Sequence, residues 1–496
     1  MTSKKILLTF LLLNIFVIFY GYVSGFGKSL WLDELMSINY ARELPNLNLR
    51  EIFTQDPNAP FFYIFLYLAE LILKAFNINI NENINLIRAF NLIGFIPIFL
   101  SYKILKNEKI QIDINIVFLL LISSNYFIYY ILDIRPYFLL LSFAFLIGVI
   151  NLTNTLETKH KYLFIFSSIL ISVFHIYGLT LSMSILFYRL ILNLYQKNYY
   201  KLKIDIYFII LLLLIFLSSY FLQISNPEIM SGLGYLKFQL WFVRAFMTWT
   251  LNAVIFLFFA SILILFFNIR KSPNIHYFIN LFVNKSYLNI LGQIAPVVIL
   301  FSVILLVSLL ITPIIHFRHL IIIYPSLVII CGLLAHILFK NNQLKILLFI
   351  FLTIITFVNI NFYLKNIINS EQNIEWVVKK TFTKNCKGSD VYFNNDGRKD
   401  MLGFVNPIVR MYSKNLRPIK PLSELNLSNY QVNRKNNKNC NVLIFSFHTY
   451  NLEKNLKNLN FKNLKLNIKY APKVMNKETS KAGAIVLLEK NSGLIN

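Results

Sequence analysis

The stretch Ile114–Leu132, INIVFLLLISSNYFIYYIL, carries no charge, and after Asp133-Ile134-Arg135 a second apolar stretch follows, Pro136–Thr153, PYFLLLSFAFLIGVINLT. A bilayer's hydrocarbon core, roughly 30 Å thick, is crossed by a helix of about 17–25 apolar residues. Lipid offers backbone N–H and C=O groups no partner but one another, so such stretches are helices. Working outward, runs of the same kind fall near 6–26, 61–76, 88–102, 162–178, 179–196, 204–224, 241–268, 291–312, 318–339 and 345–366. The expectation is an all-α polytopic membrane protein of about eleven to thirteen transmembrane helices. Composition agrees, with 57% hydrophobic and 14% charged residues and with Phe 47 and Tyr 28.

Basic residues outnumber acidic ones, 48 to 22. In a soluble chain that excess would suggest nucleic acid. Here it belongs to topology, because Lys and Arg collect in loops on the cytoplasmic side. Clusters at Lys4/Lys5, Lys103/Lys106/Lys109, Lys159/Lys161, Lys197/Lys201/Lys203, Arg270/Lys271 and Lys340/Lys345 therefore place the loops at 27–60, 133–135, 175–178, 225–240 and 313–318 together on the extracytoplasmic face. The 61–76 run breaks this alternation unless it is re-entrant or interfacial. The apolar run ending at Phe26 is too long for a signal-peptide core and reads as a retained first helix. The expected location is a bacterial plasma (inner) membrane.

Residues 1–366 form the expected transmembrane module, with the loop 27–60 as its catalytic loop. Residues 367–496 turn Asn- and Lys-rich, with β-like runs at 390–393, 441–445 and 484–488, and read as a small extracytoplasmic α/β domain. Its basic excess suits a phosphate-rich surface or simply a solvated face. Cys386 and Cys440 lie in this tail and could pair in an oxidising compartment, whereas Cys331 sits in an apolar run.

Carboxylates at a membrane edge are costly and are functional candidates by default. The outer face collects Asp33, Glu34, Asp56, Asp133, Arg135, His175, His316 and Arg318. A carboxylate there can take a proton from an acceptor while Arg neutralises a departing phosphate. Each residue also has a structural reading. Asp33 and Glu34 suit the first turn of a helix, Asp56-Pro57-Asn58-Ala59-Pro60 suits a turn before one, Asp133 and Arg135 can pair with each other, His175 can be a packing residue, and Arg318 an interfacial anchor.

The order Trp31-Leu32-Asp33-Glu34, Asp56-Pro57-Asn58-Ala59-Pro60-Phe61-Phe62-Tyr63, Ile87-Arg88-Ala89-Phe90-Asn91, Tyr129-Tyr130-Ile131-Leu132-Asp133-Ile134-Arg135-Pro136-Tyr137 and Phe317-Arg318-His319-Leu320 resembles the C-type (GT-C) membrane glycosyltransferases of family 39, which include protein O-mannosyltransferases and aminoarabinose transferases. The resemblance spans about residues 5–340 and is most specific in its first half. It implies a GT-C fold and transfer of a sugar, with inversion, from a polyprenyl-phosphate donor to a lipid, glycan or protein acceptor. It also implies Asp33 as catalytic base with Glu34 beside it, and Asp56, Arg88, Asp133, Arg135, Tyr137 and Arg318 as substrate-binding residues, with Arg135 on the phosphate; His175 joins the expected substrate-binding set from its place on the outer face. Ala59, Asn58, Asp133 and His319 depart from the family's usual Pro, His, Glu and Tyr. With Asn58 in place of the frequent His, a divalent metal at this loop is left open, and no other cofactor is implied. A transporter or flippase of a lipid-linked saccharide is a different class of reading, but no internal repeat or mid-membrane charge marks one. An envelope polysaccharide polymerase or ligase is a third, though the outer loop 225–240 is short, with only Glu228 and Lys237 charged.

Overall fold

A computed structural model describes residues 3–26, 32–48, 51–52, 60–78, 84–108, 110–153, 160–219, 246–258, 260, 285–310, 318–338, 342–362, 364, 374–383, 391–394, 401–412, 419–425, 443–446, 452, 456, 464–470 and 484–490. Two compact units divide the chain: one of Met1–Val23, Leu44–Ala69 and Ile87–Asn361, the other of Ser24–Glu43, Glu70–Leu86 and Phe362–Asn496.

The helices are α1 (Ser3–Phe26), α2 (Leu32–Glu43), α3 (Pro60–Ala75), α4 (Phe95–Asn107), α5 (Ile114–Ile122), α6 (Asn125–Tyr130), α7 (Tyr137–Leu152), α8 (Lys161–Phe174), α9 (Ile176–Tyr195), α10 (Tyr199–Ser219), α11 (Lys285–Leu310), α12 (Tyr324–Leu338), α13 (Asn342–Phe362), α14 (Ile374–Thr383) and α15 (Met401–Tyr412). A 3₁₀ segment, Ile84–Gly94, leads into α4, and another, His319–Ile323, into α12. Among the described residues six segments are long and apolar enough to cross a membrane: Leu8–Gly25, Leu86–Asn107, Ile176–Tyr195, Asn289–Leu309, His319–Ile337 and Lys345–Phe362, with α7 and α8 shorter but apolar. Their outer faces leave Phe16, Phe19, Phe99, Leu306 and Val358 more than half uncovered by protein. Rows of large exposed apolar side chains suit hydrocarbon, not water.

The first unit's core lies around α5 and α7, most of whose side chains are buried. Gly332 on α12 admits α5 at backbone range, since a Cβ there would collide with Val117. At one end of the bundle Asp113 caps α5 by accepting from the Ile116 N–H at 3.3 Å and pairs with Lys345 at 2.7 Å, while Glu108 meets His160 at 3.0 Å.

Two sequence expectations need correction, and the 61–76 run forms the helix expected of it. The run 114–132 is two helices, because Ser123 and Ser124 interrupt it; Ser124 has β-region backbone angles and its hydroxyl accepts from the Phe127 N–H at 3.1 Å, capping α6. The run 162–178 ends at Phe174, and the next helix begins at Ile176 instead of 179, with His175 extended between them (φ −161°, ψ 141°). The 61–76 run becomes α3, whose 16 residues rise roughly 24 Å, and it is absent from the six spanning candidates; its Glu70 is 3% exposed.

The break in 114–132 frees carbonyls that no water reaches in a buried bundle. The Leu120 C=O accepts from the Tyr324 hydroxyl at 2.6 Å and from Asn252 Nδ2 at 2.8 Å, and the Ser123 C=O accepts from Asn359 Nδ2 at 2.8 Å. Asn252 Nδ2 also reaches Ser123 Oγ at 2.8 Å.

In the second unit five strands, β1 (Val391–Phe393), β2 (Ile419–Pro421), β3 (Leu443–Ser446), β4 (Leu464–Tyr470) and β5 (Ala484–Lys490), form one sheet in the order β2-β1-β3-β5-β4. β1 pairs parallel with β2 and β3, and β5 antiparallel with β3 and β4. α14 covers β3 and β5, Phe445 meets Phe382 and Phe393, and α2 packs on α15. All five strands lie after residue 390, and the helix carrying Asp33 and Glu34 is grouped with that sheet. Cys386 and Cys440 lie outside the described residues; Cys331 is buried and free.

Interhelical hydrogen bonds in membrane bundles average about 0.6 kcal/mol and reach about 1.7. Tyr324→Phe should lower stability within that range and Asn252→Leu by more, because Asn252 serves two groups at the break. Denaturation of the purified chain in detergent checks both.

Candidate functional site

Three chain segments meet where the first unit's helices begin or end. The first is the turn Asp133-Ile134-Arg135, closed by the Arg135 N–H donating to the Asp133 C=O at 2.8 Å and followed by Pro136 at the start of α7. Proline suits that position because its missing N–H would have had no helical partner. The second is the α8–α9 junction at His175. The third is Arg318-His319 at the head of the 3₁₀ turn before α12.

Their rings form one cluster. The His319 ring lies 5.0 Å from His175, 4.8 Å from Tyr177 and 6.1 Å from Tyr137, centroid to centroid, and Tyr137 lies 5.9 Å from His175. The Arg135 guanidinium sits over the Tyr137 ring at 5.9 Å. Beyond Tyr137, Tyr130 follows at 4.8 Å, with Trp249 5.6 Å from it. Arg318 and Asp133 both lie within electrostatic range of the Tyr130 hydroxyl. That hydroxyl is buried and has no hydrogen-bond partner among the described residues. Asp133 is wholly buried, while Arg135, Arg318 and His319 are partly exposed.

Two further elements hold this cluster. Asn91, on the same 3₁₀ segment as Arg88, donates from Nδ2 to the Asp133 C=O at 2.6 Å and fixes the turn. Arg88 is fully buried and in electrostatic range of the Tyr22 hydroxyl. Phe62 and Phe65 on α3 pack on Phe174 at 6.4 and 6.2 Å, next to His175.

His175 is locally determined. Its extended backbone lets Nδ1 accept from the Tyr177 N–H at 3.2 Å, which caps α9 and assigns the proton to Nε2. Gly178, one turn into α9, touches the end of α8, and a Cβ there would collide with the Ile171 carbonyl. Burial, with His319 and then Arg135 nearby, holds the imidazole's pKa well below its ordinary value. The ring is a neutral donor and acceptor at physiological pH.

The remaining expected residues fall elsewhere. Asp33 and Glu34 occupy the first turn of α2 in the second unit, Asp33 partly exposed and Glu34 fully buried. Acidic residues there favour the helix dipole, so the structural reading holds for both without removing a chemical one. On the same helix Arg42 Nε lies 3.0 Å from both oxygens of Glu70, with Lys74 at 3.4 Å. Asp56, Asn58, His316 and Phe317 lie outside the described residues. Among the described residues no group of three or more His, Cys, Asp or Glu could hold a metal ion. Asn91, Tyr130, Tyr177, Trp249 and His319 join the cluster without having been assigned a role from sequence. Asn91, Tyr130 and His319 stood inside the quoted motifs, whereas nothing local marks Trp249. Compared with protein-family models, with curated proteins and with solved structures, the chain matches none.

The neutral state of His175 sets a pH dependence. In the unfolded chain His protonates below about 6.5, but in the native state it stays neutral to much lower pH. The unfolded state therefore binds the extra proton, and stability present above pH 6.5 should fall as pH drops, by up to about 1.4 kcal/mol per pH unit, until the native pKa is reached. Melting temperatures between pH 5 and 8 should show this slope in the wild type and a shallower one in His175→Gln.

Proposed function

We propose that the chain is a membrane glycosyltransferase that moves a sugar from a polyprenyl-phosphate donor to a lipid, glycan or protein acceptor. The observation that carries this reading is the meeting of Arg135, Arg318, His175, His319, Tyr137 and Tyr177, drawn from three distant segments, at helix ends of a predominantly apolar bundle. A phosphate attached to a lipid tail has to be met at the membrane edge, and guanidinium groups match its oxygens with two parallel N–H donors.

In this reading the acceptor oxygen or nitrogen forms a bond to the sugar's anomeric carbon while the bond from that carbon to the phosphate oxygen breaks, inverting the centre. The polyprenyl phosphate leaves with the electron pair, and Arg135, with Arg318, balances its charge. Tyr137 and neutral His175 hydrogen-bond the sugar or phosphate. The acceptor's proton goes to a carboxylate base. The motif order assigns this to Asp33. Glu34, fully buried, supports α2.

The test is turnover of radiolabelled polyprenyl-phosphate sugars by the full chain in detergent, scored as released polyprenyl phosphate. General-base catalysis is worth about 10²–10⁴ in rate, so Asp33→Asn should keep its melting temperature and donor binding but lose that much turnover. Arg135→Gln should weaken donor binding as well. Near-normal turnover in Asp33→Asn would exclude it as base. A chain that binds donors without consuming any would be a carrier of lipid-linked sugars instead.

A further inference from the structure

The far end of α9 carries a second polar site. From His175 to Arg189 the helix rises roughly 21 Å at about 1.5 Å per residue, and there a cavity of about 240 Å³ opens between the ends of α7, α9, α10 and α11. Asn151, Tyr188, Arg189, Gln196, Lys201 and Asn289 line it. Two cations and several neutral donors face it, and its described lining contains no carboxylate.

The cavity is held by polar contacts behind its wall. Arg189 Nε donates to Asp205 Oδ1 at 3.4 Å, and Asn193 Nδ2 donates to Asp205 Oδ2 at 2.6 Å. Both oxygens of this buried carboxylate are thereby occupied and its charge is offset. The guanidinium lies over the Phe164 ring at 5.8 Å, which orients it. Arg carries five N–H donors, and among the described residues Asp205 is its only hydrogen-bond partner, through Nε. The two terminal amino groups remain for a ligand. Across the cavity Asn151 Nδ2 ties α7 to α11 through the Gly292 C=O at 2.9 Å.

We propose that this cavity binds a phosphate group, with Arg189 and Lys201 as cationic ligands and Tyr188, Gln196 and Asn289 as neutral ones. Arg189 and Lys201 are the cationic side chains of a lining with no carboxylate among its described residues. A guanidinium presenting two terminal amino groups fits a tetrahedral oxyanion bidentately. The volume is below the roughly 300–1,000 Å³ of sites that enclose a drug-sized ligand, so it takes one anionic group and not a whole sugar donor. α9 and α11 are both long enough to cross a membrane, which puts their ends at headgroup depth, where basic pockets between helices take lipid phosphates. The same chemistry would accept soluble phosphate. The site is separate from the His175 cluster and does not depend on the transferase reading.

The experiment uses the full chain in detergent with two probes. One is phosphatidylglycerol, counted as retained molecules by native mass spectrometry against phosphatidylcholine. The other is inorganic phosphate, read as a rise in melting temperature against chloride at equal ionic strength. Gly292→Leu fills the cavity without altering a charge, because the helical Gly292 faces Tyr188 and Asn151 at 3.7–3.8 Å from an added Cβ. Arg189→Lys keeps the partner of Asp205 and removes the planar fork. Wild type should bind at least one probe, with affinity reduced about tenfold or more in Gly292→Leu and less steeply in Arg189→Lys. A response to the lipid alone identifies a headgroup site, and a response to phosphate alone a soluble-anion site. Binding of neither probe, or equal binding by wild type and Gly292→Leu, overturns the proposal. Should Gly292→Leu melt far below wild type, Asn289→Leu closes the same cavity from its partly exposed side and is read the same way.

Discussion

The arrangement of the first unit depends on one constraint: a backbone carbonyl inside an apolar bundle must find a protein donor. At Ser123-Ser124 the chain leaves the helix, and the carbonyls of Leu120 and Ser123 lose their helical partners. Tyr324, Asn252 and Asn359 supply donors from three other segments. An unsatisfied polar group in hydrocarbon costs several kcal/mol, so the break exists only because these three side chains arrive. With the break in place α6 can point Tyr130 at Tyr137 and deliver the Asp133–Arg135 turn to the mouth of α7.

The same constraint separates the chain's buried charges into kinds. Glu70 is held by Arg42 and Lys74, and Asp205 by Arg189 and Asn193. Removing one partner of such a pair is costly, because the other is left as an uncompensated buried charge. Around His175 the balance is different. Two guanidinium groups, two imidazoles and the carboxylate of Asp133 gather there among the described residues, and burial keeps His175 neutral. In the proposed reading these guanidinium groups at helix ends meet the donor's phosphate. The cavity at Arg189 repeats that logic at the opposite end of α9.

Much of the sheet unit followed ordinary patterns. The runs at 391–393, 443–446 and 484–490 are apolar and β-branched, and they form the central strands. The two edge strands were harder to recognise. β2 is only Ile419-Lys420-Pro421, and β4 alternates Lys and Asn with apolar residues, LKLNIKY. Proline and outward lysines are how sheets protect an edge from pairing with other chains, and the same residues blur the strand signal within an Asn- and Lys-rich tail. The seam between α8 and α9 was equally hidden. Apolar residues run almost unbroken from 162 to 196, and only the cap made by His175 Nδ1 decides where one helix stops.

From the sequence alone came the membrane-spanning class, the helical character of the long apolar runs, the sheet-forming tail and the turn at Asp133-Ile134-Arg135. These are properties of composition and local periodicity, which act over a few residues and need no partner. Tertiary structure decided which residues act together. It brought His319 beside His175 and Tyr177, joined Asn91 to the Asp133 turn, added Trp249 to the tyrosine stack and grouped the helix of Asp33 and Glu34 with the sheet. The physical reason is that lipid-facing and protein-facing apolar side chains look alike in sequence, so periodicity cannot say which faces meet. That is settled by hydrogen bonds and ring contacts between segments from about forty to more than two hundred residues apart.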